Sequence, residues 1–397
     1  MAEEEGEEEM KTIVIDYGSG YIRAGYSGDE VPSYVVPNCI GKQNQKYFNL
    51  IDNERNLFGK EAQDKNGLFN LEYPIKHGVI ENFDNMECIL NNLVVTNKYV
   101  PEESNIFLTD SNFDPKINRG KLAQRLFELF YFNKIYICNP SILNLYASGK
   151  FSGISIDLGF DTIRICPILE GIAIKDAIIK YNYGGNDLTE FMYLLAKKID
   201  LSSYIINKIE GNSPNILTTI GGLTFQDIKE KVCYCASDLK EDLKKAESYK
   251  YELPDGTYIT TKEERIICPE ALFKPYLINI KENDIVKGCY DSLEKIGNCF
   301  EYSIKKDLLN KIILSGGTSL FKGLPERFTK ELQKIFPGKM KDEIKVIASP
   351  EGNFFSWIGG SILSAISTFE SQWITKTEYE ENGESIVLKK CSDLLNK

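Results

Sequence analysis

Residues 15–23 read IDYGSGYIR and residues 156–164 read IDLGFDTIR. Both fit I-D-x-G-x-x-x-I-R, and they stand 141 positions apart. In each copy a short β-branched run ends on an aspartate, turns at a glycine and returns through Ile-Arg. That is the pattern of a strand, a tight turn and a second strand. The matching offsets point to duplication rather than coincidence. Two similar halves, each opening with a hairpin, suit two α/β domains that face each other.

The rest of the chain agrees. Residues 116–132 carry apolar residues at helical spacing. Residues 135–138, IYIC, read as a buried strand. Asn139 is then a natural N-cap, Pro140 suits the first helical position and Gly149 the C-terminal stop. Residues 225–248 read as one long charged helix, 311–336 as strand, glycine loop and helix, and 357–373 as an apolar helix. Residues 205–222 have the composition of a loop. Strands and helices alternate, so the fold class is α/β. The length of 397 residues suits about two to three domains.

Composition excludes several functions. His77 is the only histidine, so no multi-histidine metal site is possible. The formal net charge of -11 argues against broad binding to nucleic acid or anionic membrane. Six of those charges are the glutamates of residues 3–9; without them the balance is -5. That acidic tail, residues 1–9, reads as disordered. The ten cysteines form no C-x-x-C pair and most sit among apolar neighbours, the mark of reduced, buried thiols in an intracellular protein. No secretory signal and no apolar run long enough to span a membrane is visible.

The hairpins also carry chemistry. A glycine turn lets backbone N–H groups approach a phosphate. Gly18, Ser19 and Gly20 supply one such turn; Gly159, Asp161 and Thr162 supply another. Asp16 and Asp157 end the leading strands, and two carboxylates facing across a cleft would hold Mg²⁺ through waters. Arg23 would neutralise phosphate oxygens. Ser315-Gly316-Gly317-Thr318, between a strand and a helix, is a generic anion site. Phe321 beside it either stacks on a base or packs in the core. Either hairpin alone reads more readily as an ordinary surface turn.

Together these pieces resemble the actin and actin-related protein family. The matching stretches are VIDYGSGYIRAGYSGD (14–29), YPIKHGVIENFDNME (73–87), LNLYASG (143–149), DIKEKVCY (227–234), YELPDG (251–256), CPEALF (268–273), ILSGGTSLFKG (313–323), WIGGSILSAISTF (357–369) and SIVLKKC (385–391). The resemblance implies a two-lobed fold, each lobe on a five-stranded sheet, with ATP or ADP and Mg²⁺ (or Ca²⁺) in the cleft. It implies an outer-lobe base of residues 10–36, 74–147 and 355–397 with a tip at 37–73. The inner-lobe base is then 148–183 and 285–354, with a tip at 184–284 carrying an insertion at about 205–222.

By position, the resemblance makes Asp16 and Asp157 the metal-side carboxylates. Gly18, Ser19, Gly20 and Arg23 form the first phosphate loop, and Gly159, Asp161 and Thr162 lie on the second. Gly185, Lys229 and Glu230 line the ribose and adenine pocket, which Gly316, Gly317 and Phe321 complete. His77 falls on the phosphate-sensing loop.

The departures bear on activity. The family's water-orienting glutamine is Pro140 here, and proline has no side-chain hydrogen bond to offer. The family's second water-directing residue, a histidine, is Arg164, which stays charged and serves only as a charge clamp. Phe160 replaces a carboxylate near the nucleotide. No residue is assigned a catalytic role, and hydrolysis is expected to be weak or absent.

Contact surfaces differ too. Residues 42–58 occupy the subunit-contacting loop with many amides and charges, and residues 277–288 occupy a plug with a charged middle. Leu394-Leu395, beyond the family's end, is expected to cover the apolar groove where partners dock. The first expectation is a structural subunit of a cytoplasmic, cytoskeletal assembly (a dynactin-like minifilament, a nucleating complex or a ciliary complex). Its partners are then actin, other actin-related proteins and complex subunits, without direct nucleic-acid recognition. The alternatives are a nuclear chromatin-remodelling subunit and a self-polymerising ATPase using Arg164.

Overall fold

Five consecutive residues of the strand Lys11–Tyr17, from Ile13 to Tyr17, are buried. A strand covered on both faces is the central strand of a layered α/β sheet. The computed structural model describes residues 10–43, 56–199, 220–253, 256–297, 302–336 and 338–395. The acidic tail, most of the 42–58 loop and nearly all of the 205–222 insertion lie outside them.

Lys11–Tyr17 pairs antiparallel with Tyr21–Tyr26 and parallel with Ser104–Thr109. The first sheet runs Ile374–Thr375, Lys134–Cys138, Ser104–Thr109, Lys11–Tyr17, Tyr21–Tyr26, Tyr34–Pro37. Gly153–Leu158 repeats the arrangement, antiparallel to Ile163–Leu169 and parallel to Ile312–Ser315. The two copies of the sequence motif are therefore the two central hairpins of two like sheets, the two lobes of the molecule. Both sheets exceed the expected five strands. The first gains the short strand Ile374–Thr375, and the second has seven strands, including Ile179–Tyr181 and the C-terminal Leu394–Leu395.

Separate apolar cores fill the lobes. One gathers Ile13, Ile15, Ile106 and Ile135, the other Ile154, Ile156, Leu314 and Phe328. A third cluster joins them, with Val14 and Phe107 of the first sheet against Cys166 and Ile313 of the second. Between the sheets run the helices Pro140–Ala147 and Phe355–Ala365. A Cβ on Gly359 would overlap the carbonyl of Leu143, so only glycine lets these helices cross at backbone contact. Trp357, fully buried on the second helix, donates its indole N–H to Val14 O at 2.9 Å.

Asn139 accepts a hydrogen bond from Ser141 N at 3.0 Å, with Pro140 opening the helix as its sequence requires. Gly149 takes a φ of +69° just past the end. The span 225–248 is not one helix. It divides into the later part of the helix Ile220–Val232, an irregular stretch, the helix Leu239–Lys244 and the approach to the strand Tyr249–Glu252. Cys235 N donates to Lys322 O at 2.8 Å, and Asp238 caps a new helix by accepting from Lys240 N and Glu241 N. Tertiary pairing pulls the backbone out of the helical ladder there, overriding a favourable periodicity. Likewise 357–373 is helical only to Ala365 and continues as a 3-10 turn.

Of the cysteines, Cys39, Cys138, Cys166, Cys233, Cys235, Cys268, Cys289 and Cys391 are buried free thiols and Cys88 is exposed. No helix among the described residues is long and apolar enough to cross a membrane.

Candidate functional site

The hairpin turns of the two lobes face one cavity of about 350 Å³. That volume suits a small-molecule ligand. Its wall includes Asp16, Gly18, Ser19, Gly20 and Arg23 from the first hairpin, and Asp157, Gly159, Thr162 and Arg164 from the second. Gly185, Lys229, Glu230, Gly316, Gly317 and Phe321 close one end, and Pro140 forms part of the floor. Two sequence candidates, His77 and Asp161, stand behind this wall rather than on it.

The duplication creates a duplicated ion pair. Asp16 lies directly opposite Arg23 in the antiparallel register, and Asp157 opposite Arg164. Arg23 Nη1 reaches Asp16 Oδ2 at 3.0 Å, and Arg164 Nη1 reaches Asp157 Oδ2 at 3.1 Å. Thr109 Oγ1 donates to the other oxygen of Asp16 at 2.9 Å. Burial pushes the Asp157 carboxyl up; Arg164 opposes that, and the nearby Asp16 charge adds to it. Arg23 Nε and Arg164 Nε are buried and meet no acceptor among the described residues. Two carboxylates within electrostatic reach of each other, together with donors lacking acceptors, fit a divalent cation held through waters beside an anionic ligand.

Two glycines are required by close approach. A Cβ on Gly20 would enter the Phe160 ring at 2.5 Å. Gly316 has φ +81°, and its Cβ would overlap the carbonyl of Leu158. Asn38 braces the first turn, donating from Nδ2 to Gly18 O at 2.8 Å and from N to Gly20 O at 2.9 Å. The second turn is tied to the next helix, where Gly185 N donates to Gly159 O at 2.9 Å and Asn186 N to Phe160 O at 2.7 Å.

At the far end Lys229 is buried and donates to Gly185 O at 2.7 Å and Thr189 Oγ1 at 3.0 Å. Burial lowers its ammonium pKa. Glu230 is exposed and accepts from Gln226 Nε2 at 3.0 Å. The same nitrogen donates to Tyr21 OH at 3.1 Å, joining the lobes across the cleft. Tyr21 and Gln226 escaped the sequence reading; the i,i+4 spacing of Gln226 to Glu230 on one helix was the available signal. Phe321 packs in the inner-lobe core and also presents to the cavity.

Behind the wall, Ser19 Oγ donates to Asp161 Oδ1 at 2.7 Å and His77 N to Asp161 Oδ2 at 2.5 Å. His77 Nδ1 lies 3.0 Å from Asp161 O, and Lys180 Nζ donates to His77 O at 2.6 Å. Phe160 stacks on Tyr73 with centroids 5.8 Å apart.

The C-terminal segment packs against both lobes. Arg119 is buried among Asp110, Asp393 and the Cys391 carbonyl. Leu394–Leu395 then pairs with the edge strand Ile172–Ile174. Ile362, Ile366 and Phe151 remain exposed.

A two-lobed α/β frame, with duplicated hairpins meeting at one cavity, defines the class. The family model for actin matches residues 7–392, and the chain belongs to the actin family.

Proposed function

We propose that this chain binds ATP or ADP with Mg²⁺ or Ca²⁺ in the cleft and serves as a structural subunit of a cytoskeletal assembly, with slow or absent hydrolysis. The glycine turns and Arg23 receive the phosphates, and Lys229, Glu230, Gly185 and Phe321 enclose the nucleoside. Asp16 and Asp157 hold the cation, which supplies charge neutralisation at the phosphates when bound. Its partners are actin, other actin-related proteins or complex subunits, in the cytoplasm.

The observation that carries the slow-hydrolysis reading is the pairing of Pro140 with an engaged Arg164. Pro140 sits on the cavity floor with no side-chain acceptor. Arg164 is ion-paired and permanently charged, so it takes no proton from water. Positioning supplies most of the catalysis in phosphoryl transfer, and losing both water-directing groups costs on the order of 10³-fold in rate. Bound nucleotide instead stabilises the closed lobes by mass action.

Single-turnover phosphate release from the ATP-loaded protein tests this. Slow release with retained nucleotide supports the reading; release at the rate of ordinary actin overturns it and favours a working ATPase. Sedimentation with Mg-ATP reads out self-assembly, and tagging in cells separates a cytoskeletal from a chromatin-bound subunit.

A further inference from the structure

Asp161 does something the nucleotide reading of the cleft does not require. Its two carboxylate oxygens take the Ser19 hydroxyl at 2.7 Å and the His77 amide at 2.5 Å. These donors come from two different loops and converge on one side chain. A hydroxyl and a backbone N–H converging on one spot are the donor set that grips a phosphate oxygen. Here a carboxylate of the protein takes both.

Two physical consequences follow. A hydroxyl has one proton, so Ser19 cannot donate to Asp161 and to a phosphate at once. Asp161 also places a negative charge one hydrogen bond behind the cavity wall, and like charges repel most where water is excluded. Lys180 feels the Asp161 charge, but its ammonium makes its hydrogen bond to His77 O, at 2.6 Å, rather than to the carboxylate. His77 is held with φ +49°, a conformation that a non-glycine residue keeps only when its surroundings impose it. Asp161 imposes it from both sides, through its carboxylate on N and its carbonyl against Nδ1.

We infer that Asp161 is a built-in anion behind the cavity wall that competes with a terminal phosphate for the Ser19 hydroxyl, making the cleft selective for a nucleoside diphosphate over a triphosphate and keeping the His77 loop latched whichever is bound. This rests on the nucleotide reading above. The diphosphate does not need the Ser19 hydroxyl at its far end; the triphosphate must take that hydroxyl from Asp161 Oδ1, while Oδ2 keeps the His77 amide.

The test is calorimetric titration of the full-length, nucleotide-free protein with Mg-ADP and Mg-ATP separately. The wild type should bind ADP at least about tenfold tighter than ATP, a difference of about 1.4 kcal/mol. Asp161→Asn keeps shape and an acceptor oxygen but removes the charge; Asp161→Gly removes the group. Both should tighten ATP by about tenfold while leaving ADP within about twofold. Hydrogen exchange at the His77 amide should be alike with either nucleotide in the wild type, and should become nucleotide-dependent in Asp161→Gly. A wild type that prefers ATP, or a ratio that neither variant moves, overturns the inference while leaving nucleotide binding intact. Failure of the wild type to bind either nucleotide overturns the underlying reading as well.

Discussion

Arg164 Nη1 stands 3.1 Å from Asp157 Oδ2, directly across the inner-lobe hairpin. Both side chains are buried. Removing one partner of a buried pair strands the other charge, which costs about 3–5 kcal/mol. Arg164→Ala should therefore lower unfolding stability by about that amount, and adding Asp157→Asn should restore most of it. Denaturant unfolding of the single and double variants reads this out. Equal stability of Arg164→Ala and wild type would show that the pair is not buried as described.

Under the proposed function, glutamine at position 140 with histidine at position 164 should raise turnover. Pro140→Gln with Arg164→His is expected to raise single-turnover phosphate release by on the order of 10²–10³-fold. Each change alone should give much less than half of that effect, because groups that act on one water are not additive. No increase in the double variant would place the slow step elsewhere.

Gly20→Ala should disrupt the contact between lobes. The new Cβ enters the Phe160 ring at 2.5 Å, and Phe160 is already stacked on Tyr73. Overpacking of this kind costs about 1–3 kcal/mol. The expected result is a lower melting temperature together with weaker nucleotide affinity. The pair Gly20→Ala, Phe160→Ala should recover stability by relieving the clash.

The C-terminal segment should stabilise the whole molecule rather than only its own end. Asp393 sits with Arg119 in the outer lobe, while the next two residues join the inner-lobe sheet. Asp393→Ala leaves the buried Arg119 with Asp110 as its remaining carboxylate, and should cost about 3 kcal/mol. Deleting residues 392–397 should cost at least as much. A melting temperature unchanged by the deletion would refute the role.

One pH effect has a defined sign. Lys390 Nζ lies 2.8 Å from Glu378 Oε1, and Thr375 N donates to Oε2 at 3.0 Å. The Lys390 contact, then the Thr375 amide, hold the Glu378 carboxyl below its ordinary value. A carboxylate with a lower pKa folded than unfolded adds stability above the unfolded pKa, and that stability is lost as pH falls through the folded pKa. The pair is partly exposed, so screening limits the gain to about 0.5 kcal/mol. Glu378→Gln should melt slightly lower than wild type at pH 7, and at the same temperature once the pH has fallen below the folded pKa of Glu378.

Much of the candidate site was legible in the sequence because its parts are local. Asp16 with Arg23, and Asp157 with Arg164, are seven residues apart, a distance that a hairpin register fixes by itself. The cap at Asn139 and the start at Pro140 are adjacent in sequence, and backbone geometry alone assigns them. The division of 225–248 was not legible, since its cause is Lys322 on another segment. Nor was the convergence behind the wall. Ser19 and Asp161 are 142 positions apart, and no periodicity carries information about which side chain meets which across two lobes.

The sequence alone therefore determined the two hairpins, their aspartates and arginines and the glycine turns, because these follow from residue type and short-range backbone geometry. Only the tertiary structure decided that Tyr21 meets Gln226, that Asp161 captures both Ser19 and His77, and that Arg119 is neutralised by Asp393, 274 positions away. Those contacts exist because the third apolar cluster holds the two sheets together. Burying that shared surface fixes the relative placement of the lobes, and with it every polar contact made across them.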